Sequence, residues 1–520
     1  MADSSMRTGV GGPAGDCLAL SGGQKGLKSG ALGLLSSVVI GVSSTAPGYS
    51  LAATIGFVAA AVALQAPAVL LLAFVPMLCI AYAYRELNAV DPDCGTTFTW
   101  AARAFGPRTG WMGGWGIVVA DVVVMANLAQ IAGQYGFLLF GADGLAASTF
   151  WTTLVGALWI TLLTWVCYRG IEISARVQYV LLAVELVALA VFAVVALFRV
   201  YAGNAGEGAI RPALSWFNPF AIDSFSSLSA GVLLAVFIYW GWDTAVACNE
   251  ETRDATRTPG RAAIVSTVVL LGIYVLVAVA CQSYAGLGVL TDEANQGDVL
   301  AVLGDQVLGS TFGKVLILAV LSSAAASTQT TILPTARTTL SMAAHRAIPA
   351  SFSRMHPRFQ TPTTSTIAMG VASVVFYVGL VIVSGNVLAD SIAALGLLIA
   401  FYYAMTGYAC AWQFRHQMRT PREALVRGVL PMVGAVILTA CFLKSARDMW
   451  ASDYGNTSFA GVGGVFLLGI GSLVLGVLVM VACELAMPDF FRRRTPLTAA
   501  RRSADPTDQS RVSDGNRVQT

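Results

Sequence analysis

The chain has 520 residues, of which 56% are hydrophobic and only 11% charged. Soluble domains carry about 25% charged residues, so this composition excludes an ordinary soluble enzyme. The net charge of +3 provides no basic face for nucleic acid. Nine scattered cysteines without a C-x-x-C pair argue against a zinc cluster or a disulfide scaffold. We therefore expect an integral membrane protein without a cofactor and without a nucleic-acid partner.

Twelve segments are apolar enough to cross a bilayer, which requires about 20 residues. In chain order they are 31–64, 67–84, 111–140, 150–168, 176–198, 226–249, 261–283, 314–334, 364–384, 389–412, 425–444 and 460–484. Most are apolar on every face, which is typical of helices that contact lipid and other helices. The pattern predicts an all-α membrane protein with twelve transmembrane helices.

The basic residues predict the orientation of these helices. With the N-terminus inside, 26 of the 31 Lys and Arg residues lie in the tails and loops of that side, and five lie on the other. Since basic residues favour the cytoplasmic side, we expect both termini in the cytoplasm. Polar compositions predict a flexible tail at 1–30 and a basic, disordered tail at 490–520. The three histidines stand beside arginines in polar connections, which favours solvated loop residues over metal ligands.

Segment 1 contains a helix-breaking sequence, IGVSSTAPGYS, at residues 40–50. Pro47 lacks an N–H and clashes with the preceding turn. The hydroxyls of Ser43, Ser44 and Thr45 can bond the backbone groups that the break frees. Free backbone at membrane depth must be covered by protein or face a water-filled cavity. The break therefore predicts a cavity lining, and a simple proline kink satisfied by these hydroxyls is the alternative.

Segment 6 contains a second irregular stretch, FIYWGWDTAVACNEET, at residues 237–252. Aromatic residues surround Gly241, and Asp243 follows as a carboxyl group inside a membrane segment. Such a group is costly and usually faces a functional interior. Two broken helices five segments apart indicate an inverted repeat. Their free N–H and carbonyl ends suit a solute with one negative and one positive group, as in a free amino acid.

Four stretches resemble the amino acid–polyamine–organocation permease superfamily. They are YRELNAVDPDCGTTFTWAARAFGPRTGWMGGW at 84–115, YRGIEISARVQ at 168–178, GWDTAVACNEETRDATRTPGRA at 241–262 and ARTTLSMAAHRAIPASFSRMHPRFQTP at 336–362. The spacing between them is kept, and the resemblance covers roughly residues 31 to 412. It implies the leucine-transporter fold, with inverted repeats at 31–198 and 226–412 and two further helices at 425–484.

The resemblance also implies an activity and a site. The activity is secondary transport of amino acids or related amines across the plasma membrane by alternating access. The family binds substrate at the two breaks and places an aromatic gate four residues before the glycine of segment 6, which is Phe237 here. The implied substrate site comprises Ser43, Ser44, Thr45, Ala46, Phe237, Tyr239, Trp240, Gly241 and Asp243. For Asp243, capping of a broken helix end or bonding of an intracellular loop is the alternative to substrate contact.

Proton coupling is expected to depend on Glu185, the only charged residue of the stretch 177–195 in segment 5. Lost hydration disfavours the ionised form of a buried carboxyl group, so Glu185 could take up and release a proton. Some proton-coupled relatives have a lysine on this helix, and a glutamate is a plausible substitute. Asp121 in segment 3 is the competing carrier. A permanently protonated Glu185 that only bonds a neighbouring helix is the alternative.

Other modes remain open within the same fold. The protein could exchange one amino acid or amine for another, or it could use sodium, for which Ser322 and Ser323 in segment 8 are weak candidates. We expect no other metal site. An enzyme is not expected, because the histidines lie outside the membrane segments, and a channel is not expected, because no ring of similar residues is evident. The expected partners are the solute, the proton and membrane lipid, and the oligomeric state is not predicted.

Overall fold

The computed structural model of the chain describes residues 25–206, 208–384 and 386–492. These residues form a helical bundle with a single two-stranded hairpin. Ten helical stretches in the described ranges are long and apolar enough to cross a membrane. The first of them, Leu34–Val90, has 57 residues, more than twice the length that one crossing requires.

Apart from the short helices Asp143–Ala146, Pro421–Ala424 and Gly464–Phe466, the α-helices of the described residues are, in chain order, α1 Leu34–Thr45, α2 Pro47–Val62, α3 Ala66–Val90, α4 Thr97–Phe105, α5 Pro107–Leu139, α6 Thr149–Arg169, α7 Ile171–Tyr201, α8 Phe225–Tyr239, α9 Thr244–Ala247, α10 Thr258–Leu290, α11 Val299–Leu308, α12 Ser310–Ala344, α13 Thr363–Val383, α14 Val387–Phe414, α15 Leu430–Met449, α16 Ser472–Ala486 and α17 Pro488–Phe491. Strands β1 Ser458–Phe459 and β2 Val462–Gly463 pair antiparallel between α15 and α16. A π-helical turn leads directly into each of α15 and α16.

The interruption of segment 1 lies at Ala46, between α1 and α2. Ala46 has φ +48°, in the left-handed region that a residue with a Cβ rarely adopts. Pro47 begins α2, where its missing N–H costs nothing. The hydroxyl of Thr45 donates to the Gly41 carbonyl at 2.7 Å, and that of Ser50 donates to the Thr45 carbonyl at 2.6 Å. Of the three hydroxyls predicted to bond the backbone of the break, that of Thr45 does so, whereas that of Ser44 lies against Thr244 and that of Ser43 has no partner among the described residues.

The interruption of segment 6 spans Trp240 to Asp243, between α8 and α9. Gly241 has φ +120°, and a Cβ on it would lie 2.8 Å from the carbonyl carbon and oxygen of Ser44. Only glycine fits this contact without displacing the backbone of the first break. The hydroxyls of Ser44 and Thr244 lie 2.8 Å apart. The two breaks therefore touch each other in the middle of the bundle.

The helices around these breaks form the interior of the bundle. In the most apolar 18-residue stretch of each of α5, α12 and α14, 78% of the residues are buried inside the protein. The corresponding share is 28% for α6 and for the stretch Gly464–Ala486, which includes α16. The former pack on the two breaks, whereas the latter expose apolar side chains in the manner of lipid-facing helices. The site is therefore enclosed by the most buried helices.

The structure corrects several sequence-based expectations. Within the predicted flexible tail 1–30, Lys25 and Leu27 are buried, while residues 1–24 lie outside the described ranges. Phe490 and Phe491, at the start of the predicted disordered tail, are buried against α4 and α5, and residues 493–520 lie outside the description. Helices α4 and α11 were not predicted, because they are too short to register as membrane segments.

His345 was expected to be solvated, but it is buried. Its Nδ1 lies 2.8 Å from the Ser341 carbonyl, and its ring packs edge-on against Phe98. Segment 8 was expected to end at residue 334, but α12 continues to Ala344. The additional turns accommodate Arg337 because Glu251 neutralises it at 2.5 Å.

Candidate functional site

Helix α12 connects the two breaks at the centre of the bundle. The Ser327 hydroxyl donates to the Ser44 carbonyl at 2.9 Å, and the Thr244 hydroxyl donates to the Thr330 carbonyl at 3.3 Å. One helix thus binds the end of α1 and the start of α9. Movement of either broken end relative to α12 would require these bonds to break.

The residues expected to bind substrate lie close to this centre. Of the expected set, all but Asp243 are buried, and Asp243 is partly buried. Two of their polar groups, the hydroxyls of Ser43 and Tyr239, are buried without a hydrogen-bond partner among the described residues. Buried hydroxyls normally find a partner. An incoming polar solute could provide one.

Phe237 contacts a group of side chains, Tyr49, Asn127 and Ser391, that sequence reasoning did not identify. Its ring packs edge-on against Tyr49, with the ring centres 6.4 Å apart. The Tyr49 hydroxyl donates to Oδ1 of Asn127 on α5, and the Asn127 amide donates to the Ser391 hydroxyl at 3.0 Å on α14. The signal available in the sequence was Asn127, an amide in an apolar segment. This group joins α2, α5, α8 and α14 around the breaks.

Asp243 contacts α14 rather than the end of its own helix. Its Oδ2 accepts from the Tyr402 hydroxyl at 3.0 Å, and the same hydroxyl accepts from the Trp240 indole. No side-chain bond from Asp243 caps α9. Asp243 instead fixes Tyr402, and Trp240 with it, beside the second break.

Four aromatic side chains from α3, α4, the second break and α14 pack together next to Asp243. The rings of Tyr84 and Trp242 lie 5.2 Å apart, those of Tyr84 and Trp100 lie 5.2 Å apart, and those of Trp242 and Tyr403 lie 5.3 Å apart. All four side chains are fully buried. Two of these pairs are edge-to-face and the pair Trp242–Tyr403 is tilted, and such closely packed rings leave no room for water.

Glu185 is fully buried and contacts the first break. Its Oε1 accepts from the Gly48 amide at 2.7 Å and from the Ser323 hydroxyl at 2.7 Å. The Tyr49 amide in turn donates to the Ser323 oxygen at 3.1 Å. Since the N-terminus of a helix attracts negative charge, the carboxyl group of α7 stabilises the start of α2. Glu185 thus bonds the broken end of a neighbouring helix, α2.

The other polar candidates are distributed around this centre. Asp121 is buried, and its Oδ2 accepts from the Thr335 hydroxyl on α12. Of the two sodium candidates, Ser323 bonds Glu185, and Ser322 donates to the Ala319 carbonyl of its own helix at 2.8 Å. Asp121 and Glu185 each lack a salt bridge within the described part of the chain.

An inner network of charges joins the N-terminal segment to the loops that follow α3 and α9. The Lys25 ammonium lies 2.8 Å from Asp93 Oδ2 and 2.6 Å from Glu250 Oε1, and its side chain is fully buried. Burial alone would lower the pKa of Lys25, but Asp93, Cys94 and Glu250 raise it well above its usual value. Its positive charge is therefore lost only when the pH rises through that elevated pKa.

A second ion pair extends the inner network. Arg337 bonds Glu251, and both side chains are at most 2% exposed. Leu32 exchanges backbone hydrogen bonds with the same loop, donating to Glu251 at 3.0 Å and accepting from Arg253 at 2.9 Å. We define the inner network as Lys25, Asp93, Glu250, Glu251 and Arg337. The polar atoms of Asp93, Cys94 and Glu250 lie within 4.8 Å of one another, but the Lys25 ammonium already compensates both carboxylates.

The opposite end of the bundle contains a cavity of about 200 Å³. It lies between α2, α8, α14 and the loop after α15, and its lining includes Phe57, Leu233 and Tyr454. The Asp390 carboxylate binds this loop: it accepts from the Thr457 hydroxyl at 2.6 Å and from the backbone N–H of Asn456 at 3.0 Å. The structure therefore combines a cavity at one end with a charge network at the other.

Comparison with known proteins places this arrangement among transporters. Residues 32–446 match the family model described as amino acid permease. The chain is 29% identical to an uncharacterized transporter of Mycobacterium tuberculosis over 75% of this chain and 80% of that protein. It is 26% identical to the branched-chain amino acid permease BcaP of Lactococcus lactis (77% and 84%) and 24% identical to an arginine/ornithine antiporter of Latilactobacillus sakei (71% and 78%).

The fold is similar to that of the solved structure of MhsT in complex with L-phenylalanine. The TM-score is 0.56 at 15% sequence identity, and the similarity covers 78% of this chain and 98% of that one. At this identity the similarity concerns the fold alone. It supports the expected leucine-transporter architecture at the level of the overall helix arrangement.

Proposed function

Since this chain belongs to the amino acid permease family and is a multi-pass membrane transporter rather than an enzyme, we propose that it carries an amino acid or related amine across the plasma membrane by alternating access, coupled to protons. The observation that carries this proposal is the contact between the two breaks, with Gly241 against Ser44. Broken helices at the centre of a membrane bundle are the usual substrate sites of secondary transporters.

Twelve transmembrane helices with both termini in the cytoplasm are part of the proposal. The stretch Leu34–Val90 would cross twice, with its turn at Ala63–Gln65, and α8 with α9 would cross once. Residues 31–198 and 226–412 would form the inverted repeats. The inner network would then lie at the cytoplasmic end, and the cavity beside Asp390 at the external end.

Cysteine labelling tests this topology. A cysteine at the exposed position Thr420 should react with a membrane-impermeant maleimide only after the membrane is opened, whereas one at Asp453 should react in intact cells. The background is a variant whose native accessible cysteines are removed. Labelling of position 420 in intact cells would contradict the orientation.

The substrate would lie between the first break and the stretch 237–243. Its carboxylate would meet amide groups of the broken ends other than those of Gly48 and Tyr49, which bond Glu185 and Ser323, and its ammonium would meet carbonyl groups there. The unpartnered hydroxyls of Ser43 and Tyr239 support this position. Phe237, which packs on Tyr49, would cover the substrate and exclude water.

Replacing Phe237 with Ala should raise KM by at least about tenfold, because an apolar contact in a pocket discriminates by 10-fold or more. Initial rates of uptake in proteoliposomes would measure it. The control is Phe376→Ala on α13, a partly buried aromatic away from the breaks, which should leave KM unchanged. Wild-type KM in Phe237→Ala, at normal expression, would remove Phe237 from the site.

Exchange is the second candidate function, because an arginine/ornithine antiporter is among the similar proteins. Sodium coupling through Ser322 and Ser323 is a further possibility of the same fold. Proteoliposomes distinguish the three modes when uptake is measured with internal substrate, with a pH gradient and with a sodium gradient in turn. Proton symport requires accumulation with the pH gradient alone.

A further inference from the structure

The two oxygens of the Glu185 carboxyl group have different environments. Oε1 accepts two hydrogen bonds, from the Gly48 amide and the Ser323 hydroxyl, both at 2.7 Å. Two bonds fill the two lone pairs of a carboxyl oxygen. Oε2 is buried and has no hydrogen-bond partner in the described structure. A buried polar atom without a partner is rare and requires an explanation.

The helices packed on α7 include charged residues that do not contact the Glu185 carboxyl group, namely Arg169 on α6, Arg261 on α10 and Asp305 on α11. Helices α1 and α2 contain no Asp, Glu, Lys or Arg. On α12 the cations Lys314 and Arg337 lie toward the two ends, away from Ser323. On α10 the titratable residue that interacts electrostatically with Glu185 is Tyr274, which is a neutral hydroxyl. A proton is therefore the simplest species that can neutralise Glu185 in place.

We infer that Oε2 of Glu185 is the atom that binds the transported proton, and that Ser323 is a positioning residue that keeps Oε1 as the accepting oxygen. This inference rests on the proposed proton symport. A proton from the external side adds to Oε2 and gives the neutral carboxyl group. The same proton leaves to water on the cytoplasmic side and restores the carboxylate. No other bond is made or broken in the step.

Protonation of Oε2 has a consequence for the first break. The charged carboxylate stabilises the positive N-terminal end of α2 through Gly48, and a neutral carboxyl group does so less strongly. Gly48 is the first residue of α2 that has a backbone N–H, since Pro47 has none. The proton therefore changes how firmly α7 and α12 hold α2, the helix that borders the substrate site.

The pH profile of uptake tests the role of Ser323. Removing its hydroxyl in Ser323→Ala withdraws one donor from the carboxylate, which disfavours the ionised form. Glu185 then keeps its proton to higher pH, so the pH of half-maximal uptake should rise by about one unit. Ser323→Thr keeps the hydroxyl and should restore the wild-type midpoint. The control is Thr328→Val on the same helix, whose hydroxyl bonds the Ala324 carbonyl at 2.7 Å, and it should not shift the midpoint.

An unchanged midpoint in Ser323→Ala, or an equal shift in Thr328→Val, would overturn the inference while leaving amino acid transport itself established. Absence of uptake by the wild-type protein under every gradient would instead refute the proposed function. If Ser323→Ala does not fold, infrared difference spectra of the wild type decide. A protonated carboxyl band that titrates with the uptake profile and is absent in Glu185→Gln supports the inference, and absence of such a band in the wild type contradicts it.

Discussion

Replacing Glu185 with Gln is expected to abolish pH-driven accumulation of substrate while leaving exchange down a substrate gradient intact. Glutamine has nearly the same size, and its amide oxygen can still accept from Gly48 and Ser323, whose donor atoms lie 2.7 Å from Oε1. It cannot titrate. The energetic link between proton and substrate should therefore disappear, and the accumulation ratio should fall to about one, its value without a driving force.

The matched comparison for Glu185→Gln is Asp121→Asn, which removes the competing candidate for the proton carrier, a buried acid on α5. Labelled substrate is followed in proteoliposomes with an inward proton gradient, and exchange is followed at equal pH. If accumulation survives in Glu185→Gln with the wild-type pH dependence but is lost in Asp121→Asn, Asp121 is the proton carrier. If both variants accumulate normally, the coupling does not depend on either acid.

Replacing Lys25 with Met should open the inner network and reduce uptake by an order of magnitude or more. The substitution leaves Asp93 and Glu250 buried without their cation, and removing one partner of a buried ion pair costs roughly 3–5 kcal/mol. That free energy exceeds the few kcal/mol that typically separate alternating conformations. The protein should therefore shift toward states in which this end is open and the N-terminal segment is released.

Cys94 provides a native reporter for this opening. Its side chain is fully buried, and its sulfur lies 3.7 Å from the Lys25 ammonium. In inside-out vesicles, a membrane-impermeant maleimide should label Cys94 faster in Lys25→Met than in the wild type, with Cys94→Ser identifying the labelled site. Lys314→Met, an exposed lysine at the start of α12, is the control. Equal labelling rates in wild type and Lys25→Met would contradict the role of the inner network.

Local constraints on the backbone made the two helix breaks predictable from the sequence. Pro47 and Gly241 each place a strong conformational constraint inside an apolar segment, and both predicted breaks are present. The family resemblance implied the leucine-transporter fold, which the similarity to MhsT supports at the level of the overall helix arrangement. Glu185 was recognisable because a single charge in a long apolar helix has few structural explanations.

The inner network could not be predicted in the same way. Lys25 stands in a polar, glycine-rich segment that has the composition of a disordered tail, and its partner Glu250 is 225 positions away. Only the folded chain brings their charges together. The contact between Tyr49 and Asn127 was hidden for the same reason, since neither residue has a local pattern that indicates its partner. Asp243 was placed at the correct break, but its contact with Tyr402 depends on how α14 packs.

Accumulation of a labelled amino acid by purified protein in proteoliposomes is the most direct test of proton-coupled transport. With an inward pH gradient, no sodium and no internal substrate, the internal concentration should rise above the external one and collapse when a protonophore is added. An amino acid mixture serves as the first probe, and single compounds follow. Uptake that requires internal substrate, or that stops at equal concentrations despite the gradient, would contradict proton symport.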